Sequence, residues 1–227
     1  MLRAVLFDLD GTLIDSERQN AESVGRVLAA RGRPLSDEER EFVIGHGWAE
    51  IYRHLHAAGG VDLSYDELKH LAAVEREKIV AKEGLDILPG AVHAVERLSA
   101  RFDSTVVSGS SRAEIALILR VLGVGIHFPW FIGAEDTERG KPAPDGYLLA
   151  SDRLGIAPAE CLVLEDSTAG IRAGRAAGMR VVAVRAGNFA AQPQDEADRV
   201  VDTLEDVDDR LLAELFGPAY IEGESSS

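Results

Sequence analysis

Short, almost continuously apolar runs recur along this chain: Ala4–Phe7, Ser104–Val107, Trp130–Ile132, Leu162–Leu164 and Val181–Val184. They lack the in–out alternation of a strand with one wet face. Such runs suit strands covered on both faces, as in a parallel sheet. Between most of them, Ala91–Ala100, Arg112–Leu122, Gly146–Leu154 and Thr168–Ala177 carry apolar residues three and four apart. That is the period of a helix with one buried stripe. Strand alternating with helix predicts a doubly wound α/β core with a parallel sheet.

Residues 16 to about 86 break this rhythm and read as helical throughout. Helix starts are signalled by Ser16-Glu17-Arg18-Gln19, Ser36-Asp37-Glu38-Glu39 and Ser64-Tyr65-Asp66-Glu67, each with a hydroxyl three residues ahead of Glu or Gln. Gly32-Arg33-Pro34 and Gly59-Gly60 separate the helices, and Leu88-Pro89-Gly90 ends the segment. The pattern predicts an α/β core from residues 1–15 and 88–227, with an all-α domain, residues 16–87, inserted after the first strand. The polar end Glu222-Gly223-Glu224-Ser225-Ser226-Ser227 is expected to be disordered.

Composition narrows the class. The chain has 227 residues, 46% of them hydrophobic but only 6% aromatic, so Leu, Val, Ile and Ala should build the core. The net charge of -15 argues against binding nucleic acid or an anionic membrane, since both need a basic surface. An anionic ligand would then need local attraction from a metal, a lysine or helix N-termini. The single cysteine, Cys161, lies in an apolar run and reads as a buried strand thiol. No 18-residue apolar stretch suggests a membrane span, and carboxylates interrupt the N-terminal run too early for a signal peptide. A cytoplasmic protein, monomeric or weakly dimeric, is the expectation.

Candidate chemistry sits at the ends of the expected strands. The first run stops at Asp8-Leu9-Asp10-Gly11-Thr12, two carboxylates one residue apart. Their repulsion and burial are unfavourable unless a cation or a reaction uses them. Ser108-Gly109-Ser110-Ser111 follows the second run, Gly140-Lys141-Pro142 lies past the third, and Glu165-Asp166 follows the fourth. In an open parallel sheet, ligands bind outside the carboxyl ends of the strands. Oxygen-only donors select a hard cation, so Mg²⁺ is expected on Asp8, the Asp10 carbonyl and Asp166, with Glu165 a direct ligand or one shell out. Asp8 suits attack on phosphorus, and Asp10 suits proton transfer to and from the reacting oxygens. Thr12, Ser108, Gly109, Ser110 and Lys141 are the expected phosphate contacts, the amides lying at a helix start set by Ser111-Arg112-Ala113-Glu114. Gly170 and Gly174 read as helix-packing positions. His46, Trp48, Arg53 and His54 are candidate substrate contacts in the helical insert.

Together, Asp8-Leu9-Asp10-Gly11-Thr12-Leu13, Ser108, Gly140-Lys141-Pro142-Ala143-Pro144-Asp145 and Leu164-Glu165-Asp166-Ser167 resemble the four ordered motifs of the haloacid-dehalogenase-like superfamily. The resemblance covers nearly the whole chain and is to the branch holding β-phosphoglucomutase and sugar-phosphate phosphatases. It implies a Rossmann-like core with a helical cap, Asp8 as nucleophile and Asp10 as acid/base. It also implies Ser108 and Lys141 on phosphate, and Mg²⁺ among Asp8, Asp10, Glu165 and Asp166. The implied substrate is a small phosphorylated metabolite. Asn20 and Trp48 stand where β-phosphoglucomutase carries a histidine and an arginine, which favours a phosphatase over a mutase. A phospho-acceptor receiver module shares the aspartate, hydroxyl and lysine, but has no place for the helical insert.

Overall fold

The computed structural model describes residues 1–44, 46–188 and 191–217. The expected disorder at Glu222–Ser227 therefore lies outside the described residues. The elements follow in the order β1 (Ala4–Phe7), β2 (Ile14–Asp15), α1 (Glu17–Ala29), α2 (Asp37–Val43), α3 (Trp48–Ala58), α4 (Tyr65–Glu83) and β3 (Asp86–Ile87). Then come α5 (Ala91–Ser99), β4 (Asp103–Val106), α6 (Arg112–Leu122), α7 (Asp145–Leu154), β5 (Cys161–Glu165), α8 (Thr168–Ala176), β6 (Arg180–Val184), β7 (Arg199–Val201) and α9 (Asp209–Phe216).

The main sheet is parallel, in the order β4-β1-β5-β6-β7. The chain leaves β1 for β4 on one side, then crosses to β5 on the other. β1 is thus the switch point, where an open α/β sheet forms its ligand crevice. Every residue of β1 and β5 is buried, which explains why both read as unbroken apolar runs. One core cluster joins Leu6, Val163, Val181 and Ala183 of the sheet to Ile171 and Ala173 of α8 and Tyr147 and Ala150 of α7.

Two compact units are distinguished: Met1–Ile14 with the chain from Ile87 onward, and Asp15–Asp86. The second holds α1 to α4 and has its own apolar cluster, with Val24 and Leu28 of α1, Ile51 and Leu55 of α3, and Leu68 and Ala72 of α4. β2 and β3 pair as a separate two-stranded sheet.

Two local expectations are corrected. Trp130–Ile132 is no strand: only Ile132 bridges to Val107. Pro129 lacks an amide and Gly133 follows directly, so the run is too short to extend the pairing. Ser16 makes no capping bond, because its backbone is already helical and the Asp15 carboxylate accepts from Glu17 N instead, at 3.2 Å. The boxes at Ser36, Ser64 and Ser111 are complete. The pattern of apolar runs does not mark the short edge strand β7 or helix α9. Among the described residues, no helix is long and apolar enough to cross a membrane.

Candidate active site

The end of β1 places the first two carboxylates. Asp8 N donates to Leu164 O at 2.9 Å, so Asp8 still sits in register beside β5. The chain then turns sharply: Gly11 N donates to Ile14 O at 2.8 Å, with Gly11 at φ 85°. A side chain at Gly11 would also meet the Asp166 carboxylate, 2.2 Å from Oδ2. Glycine therefore serves twice there, for its left-handed backbone and for the close approach of the β5 end.

Lys141, which starts the segment leading into α7, reaches back to this edge. Its ammonium donates to Asp8 Oδ1, to Glu165 Oε1 at 2.6 Å and to Val107 O at 3.0 Å. It lies 5.2 Å from the centroid of the Tyr147 ring, whose hydroxyl donates to the same Glu165 Oε1 at 3.0 Å. Glu165 Oε2 accepts from Asp166 N at 3.1 Å, Ser167 N at 3.1 Å and Ser167 Oγ at 3.0 Å. The buried Glu165 thus has five protein donors, as a fully desolvated carboxylate requires.

The electrostatics are strained in the direction a bound cation would relieve. Burial pushes the Asp8 carboxyl well above its usual range; Lys141 pulls it down, and Glu165 adds to the rise. Burial, then the charges of Glu165 and Asp8, raise Asp166 as well. Burial works against the charge on Lys141, but Asp8 and Glu165 outweigh it and hold the ammonium protonated. Burial and Glu165 raise Tyr147, which keeps its hydroxyl proton for donation. Asp8, Glu165 and Asp166 each offer an oxygen within 4.8 Å of the others. An all-oxygen, buried, anionic group of this kind fits a hard divalent cation.

Asp10 is turned to other partners. Its Oδ2 accepts from Ser110 Oγ at 2.7 Å and from Ser108 Oγ at 3.3 Å, and Ser110 N donates to Ser108 Oγ at 2.9 Å. The Asp10 carboxylate is not in the three-carboxylate group; its expected role as a ligand concerned the backbone carbonyl. The expected amide cradle at the start of α6 is largely closed. Ser111 N donates to Glu114 Oε2 at 3.0 Å, and Arg112 N to both Glu135 oxygens at 3.0 and 3.2 Å. Acidic side chains already satisfy that helix end. Gly109 is exposed in the turn, whereas Thr12 is fully buried with an Oγ1 that finds no hydrogen-bond partner among the described residues.

Several positions differ from their sequence reading. Gly174 packs on Val181 and Val163 as expected, but a Cβ at Gly170 would lie 1.6 Å from Glu165 Oε1. Gly170 therefore houses the Glu165 carboxylate rather than a helix contact. In the helical unit, Trp48 packs on the apolar cluster, while His46 and His54 stack on Phe42 at ring distances of 3.9 and 3.8 Å. Arg53 is exposed. Sequence reasoning missed Tyr147 and the loop after β6. There Gln194, only 9% exposed, donates to Asp166 O at 2.6 Å and Val184 O at 2.9 Å. Gln192 Oε1 accepts from Thr168 N at 3.2 Å. The polar run Gln192-Pro193-Gln194 reads as an ordinary loop, and nothing local marks its contact with the site.

The chain is similar to known proteins over most of its length. Hexitol phosphatase A of Escherichia coli (strain K12) is 36% identical over 213 residues, covering 90% of this chain and 93% of that protein. Fructose-1-phosphate phosphatase YqaB of the same organism is 31% identical over 183 residues, covering 80% of this chain and 95% of that protein. The crystal structure of CbbY from Rhodobacter sphaeroides in complex with phosphate superposes with a TM-score of 0.77 at 25% identity, over 98% of this chain and 100% of that one. The family model of the haloacid dehalogenase-like hydrolases matches residues 2–178, a span that carries the two β1 aspartates, Lys141 and the Glu165-Asp166 pair. The chain belongs to the haloacid dehalogenase-like hydrolases.

Proposed function

We propose that this protein is a phosphatase that hydrolyses a small phosphorylated metabolite, a sugar phosphate being the favoured class, through an aspartyl-phosphate. One observation carries the reading: Lys141 bridges Asp8 and Glu165 at the switch point of the sheet, beside Asp166. The phosphatase names of the two Escherichia coli relatives support the substrate class.

Asp8 is the nucleophile. A bond forms between its carboxylate oxygen and phosphorus as the ester P–O bond breaks, and Asp10 gives a proton to the departing alcohol. In the second half, Asp10 takes a proton from water as that water attacks phosphorus, releasing phosphate and Asp8. Lys141 neutralises charge on Asp8 and on the incoming phosphoryl oxygens, in a molecule whose net charge of -15 would otherwise repel them. Ser108 contributes a hydroxyl to the same oxygens. Mg²⁺, held by Asp8, Asp166 and the Asp10 carbonyl, would supply Lewis-acid charge neutralisation. Glu165, its oxygens already engaged, orients Lys141 and stands beside that ligand set. The helical domain, residues 16–87, serves as the cap that selects the leaving group.

Asp8→Asn keeps the side chain's size but removes the nucleophilic charge. The expected result is loss of phosphate release by a factor on the order of 10³ or more, with unchanged circular dichroism. The assay is a panel of phosphorylated metabolites with and without Mg²⁺. Near-wild-type turnover by Asp8→Asn would overturn the mechanism. The mutase alternative predicts an isomerised sugar phosphate formed faster than free phosphate. Asn20 and Trp48, in place of cationic cap groups, speak against it.

A further inference from the structure

The segment around Lys141 carries two charges that the proposed reaction leaves unused. Arg139 and Asp145 flank Gly140-Lys141-Pro142-Ala143-Pro144, and their side chains join its two ends. Arg139 Nε donates to Asp145 Oδ2 at 2.9 Å, and its Nη2 donates to Asp145 Oδ1 at 2.7 Å. Two parallel bonds of this kind fix orientation as well as distance. Within the ring so formed, Ala143 N donates to Gly140 O at 3.0 Å, the bond of a tight turn. Asp145 opens α7, whose Tyr147 and Ala150 belong to the core cluster. Its side chain is 23% exposed, against 72% for Arg139. The pair thus ties the outer arm of the turn to an anchored helix start.

Lys141 is the second residue of that turn. Its ammonium must meet Asp8 Oδ1, Glu165 Oε1 at 2.6 Å and Val107 O at 3.0 Å together. A flexible four-carbon stem does not hold three contacts unless its backbone is held too. We infer that Arg139 and Asp145 are a positioning pair: their bidentate ion pair holds the turn so that Lys141 reaches Asp8 and the phosphoryl oxygens. Both act through Lys141. The inference rests on the phosphatase reading and adds two residues to it. An exposed ion pair contributes little to global stability. Its effect is local, limiting the excursions of one short loop.

The test reads Lys141 directly. Lys69, Lys78 and Lys82, all in the helical unit, are the other lysines of the chain and serve as internal controls. The full-length protein is treated briefly with N-succinimidyl acetate, and acetylation at each lysine is followed by peptide mass spectrometry. An amine held by three acceptors reacts only when its loop opens. Arg139→Ala should raise the rate at Lys141, relative to the controls, by about threefold. Asp145→Asn should act similarly, but Asp145 also favours the start of α7, so Arg139→Ala is the cleaner variant. The double variant should match the single ones, because each breaks the same interaction. Arg139→Lys, which keeps the charge without the fork, should lie between wild type and Arg139→Ala. On the best substrate of the metabolite panel, Arg139→Ala should lower kcat/KM by about threefold with an unchanged Tm. An unchanged Lys141 ratio, an equal rise at every lysine, additive effects in the double variant, or a raised ratio with wild-type kcat/KM each overturn the inference. Asp8→Asn separates the two levels. Turnover by that variant defeats the phosphatase reading, whereas the Lys141 ratio is read without turnover and judges the pair by itself.

Discussion

Gly170 shows how a single residue without a side chain can govern a charged site. A Cβ there would lie 1.6 Å from Glu165 Oε1, and Glu165 cannot swing aside without breaking hydrogen bonds to Lys141, Tyr147, Asp166 N and Ser167. Gly170→Ala is therefore expected to lower stability by about 2–3 kcal/mol, the cost of disrupting charged, buried hydrogen bonds. It should also lower turnover by releasing Lys141. Urea unfolding together with phosphate release tests this, and an alanine variant as stable and active as wild type would refute the housing role. At this scale the sequence pointed to the chemical types: Asp8, Asp10, Lys141, Glu165 and Asp166 all lie at one sheet edge. It did not show the division between Lys141 on Asp8 and the serines on Asp10. That division depends on which atoms face each other after folding, and spacing along the chain carries no such information.

Among the elements, the loop after β6 and strand β7 do work that their sequence hides. Gln194 ties the end of β5 to the end of β6, and Asp198, next to β7, gathers Val181 N at 2.8 Å, Arg175 at 2.8 Å and Arg180 at 3.0 Å. Burial works against the Asp198 charge, but the Val181 amide and the two guanidiniums outweigh it and hold the carboxyl below its usual range. A carboxyl so lowered stabilises the fold above the ordinary carboxylate pKa near 3.8, and that contribution fades as pH falls through the folded value. Asp198→Asn should thus be less stable than wild type at pH 7 by about 1–2 kcal/mol, because its arginine partners are half exposed and screened. The gap should narrow as pH falls below the ordinary carboxylate range and through the lowered folded value. Thermal unfolding of both proteins across that range decides it, and a gap independent of pH would show that the charge is immaterial. β1 and the runs Leu162–Leu164 of β5 and Val181–Val184 of β6 were legible because strand positions buried on both faces favour apolar residues throughout. Residues 130–132 have the same composition, but Pro129 and Gly133 leave room for a single bridge.

For the whole molecule, the decisive quantity is uncompensated negative charge inside the site. Asp8, Glu165 and Asp166 are buried together against one lysine. A divalent cation that binds this group only in the folded state stabilises it by mass action, by about 2.7 kcal/mol at a concentration 100 times Kd. MgCl₂ should raise Tm by roughly 5 °C or more at that saturation, an equal ionic strength of NaCl should not, and Asp166→Asn should blunt the rise. A Tm indifferent to Mg²⁺ would count against the metal site. What the sequence by itself determined was the alternation of strand and helix, the helical insert and the candidate residues at the sheet edge. Periodicity and local spacing encode these directly. What only the tertiary structure decided was partnership. Lys141 meets Asp8 across 133 residues and Ser110 meets Asp10 across 100. Such pairings form only when the crossovers of the sheet bring separate strand ends to one edge, where burial makes every unpaired polar group costly enough to fix its partner.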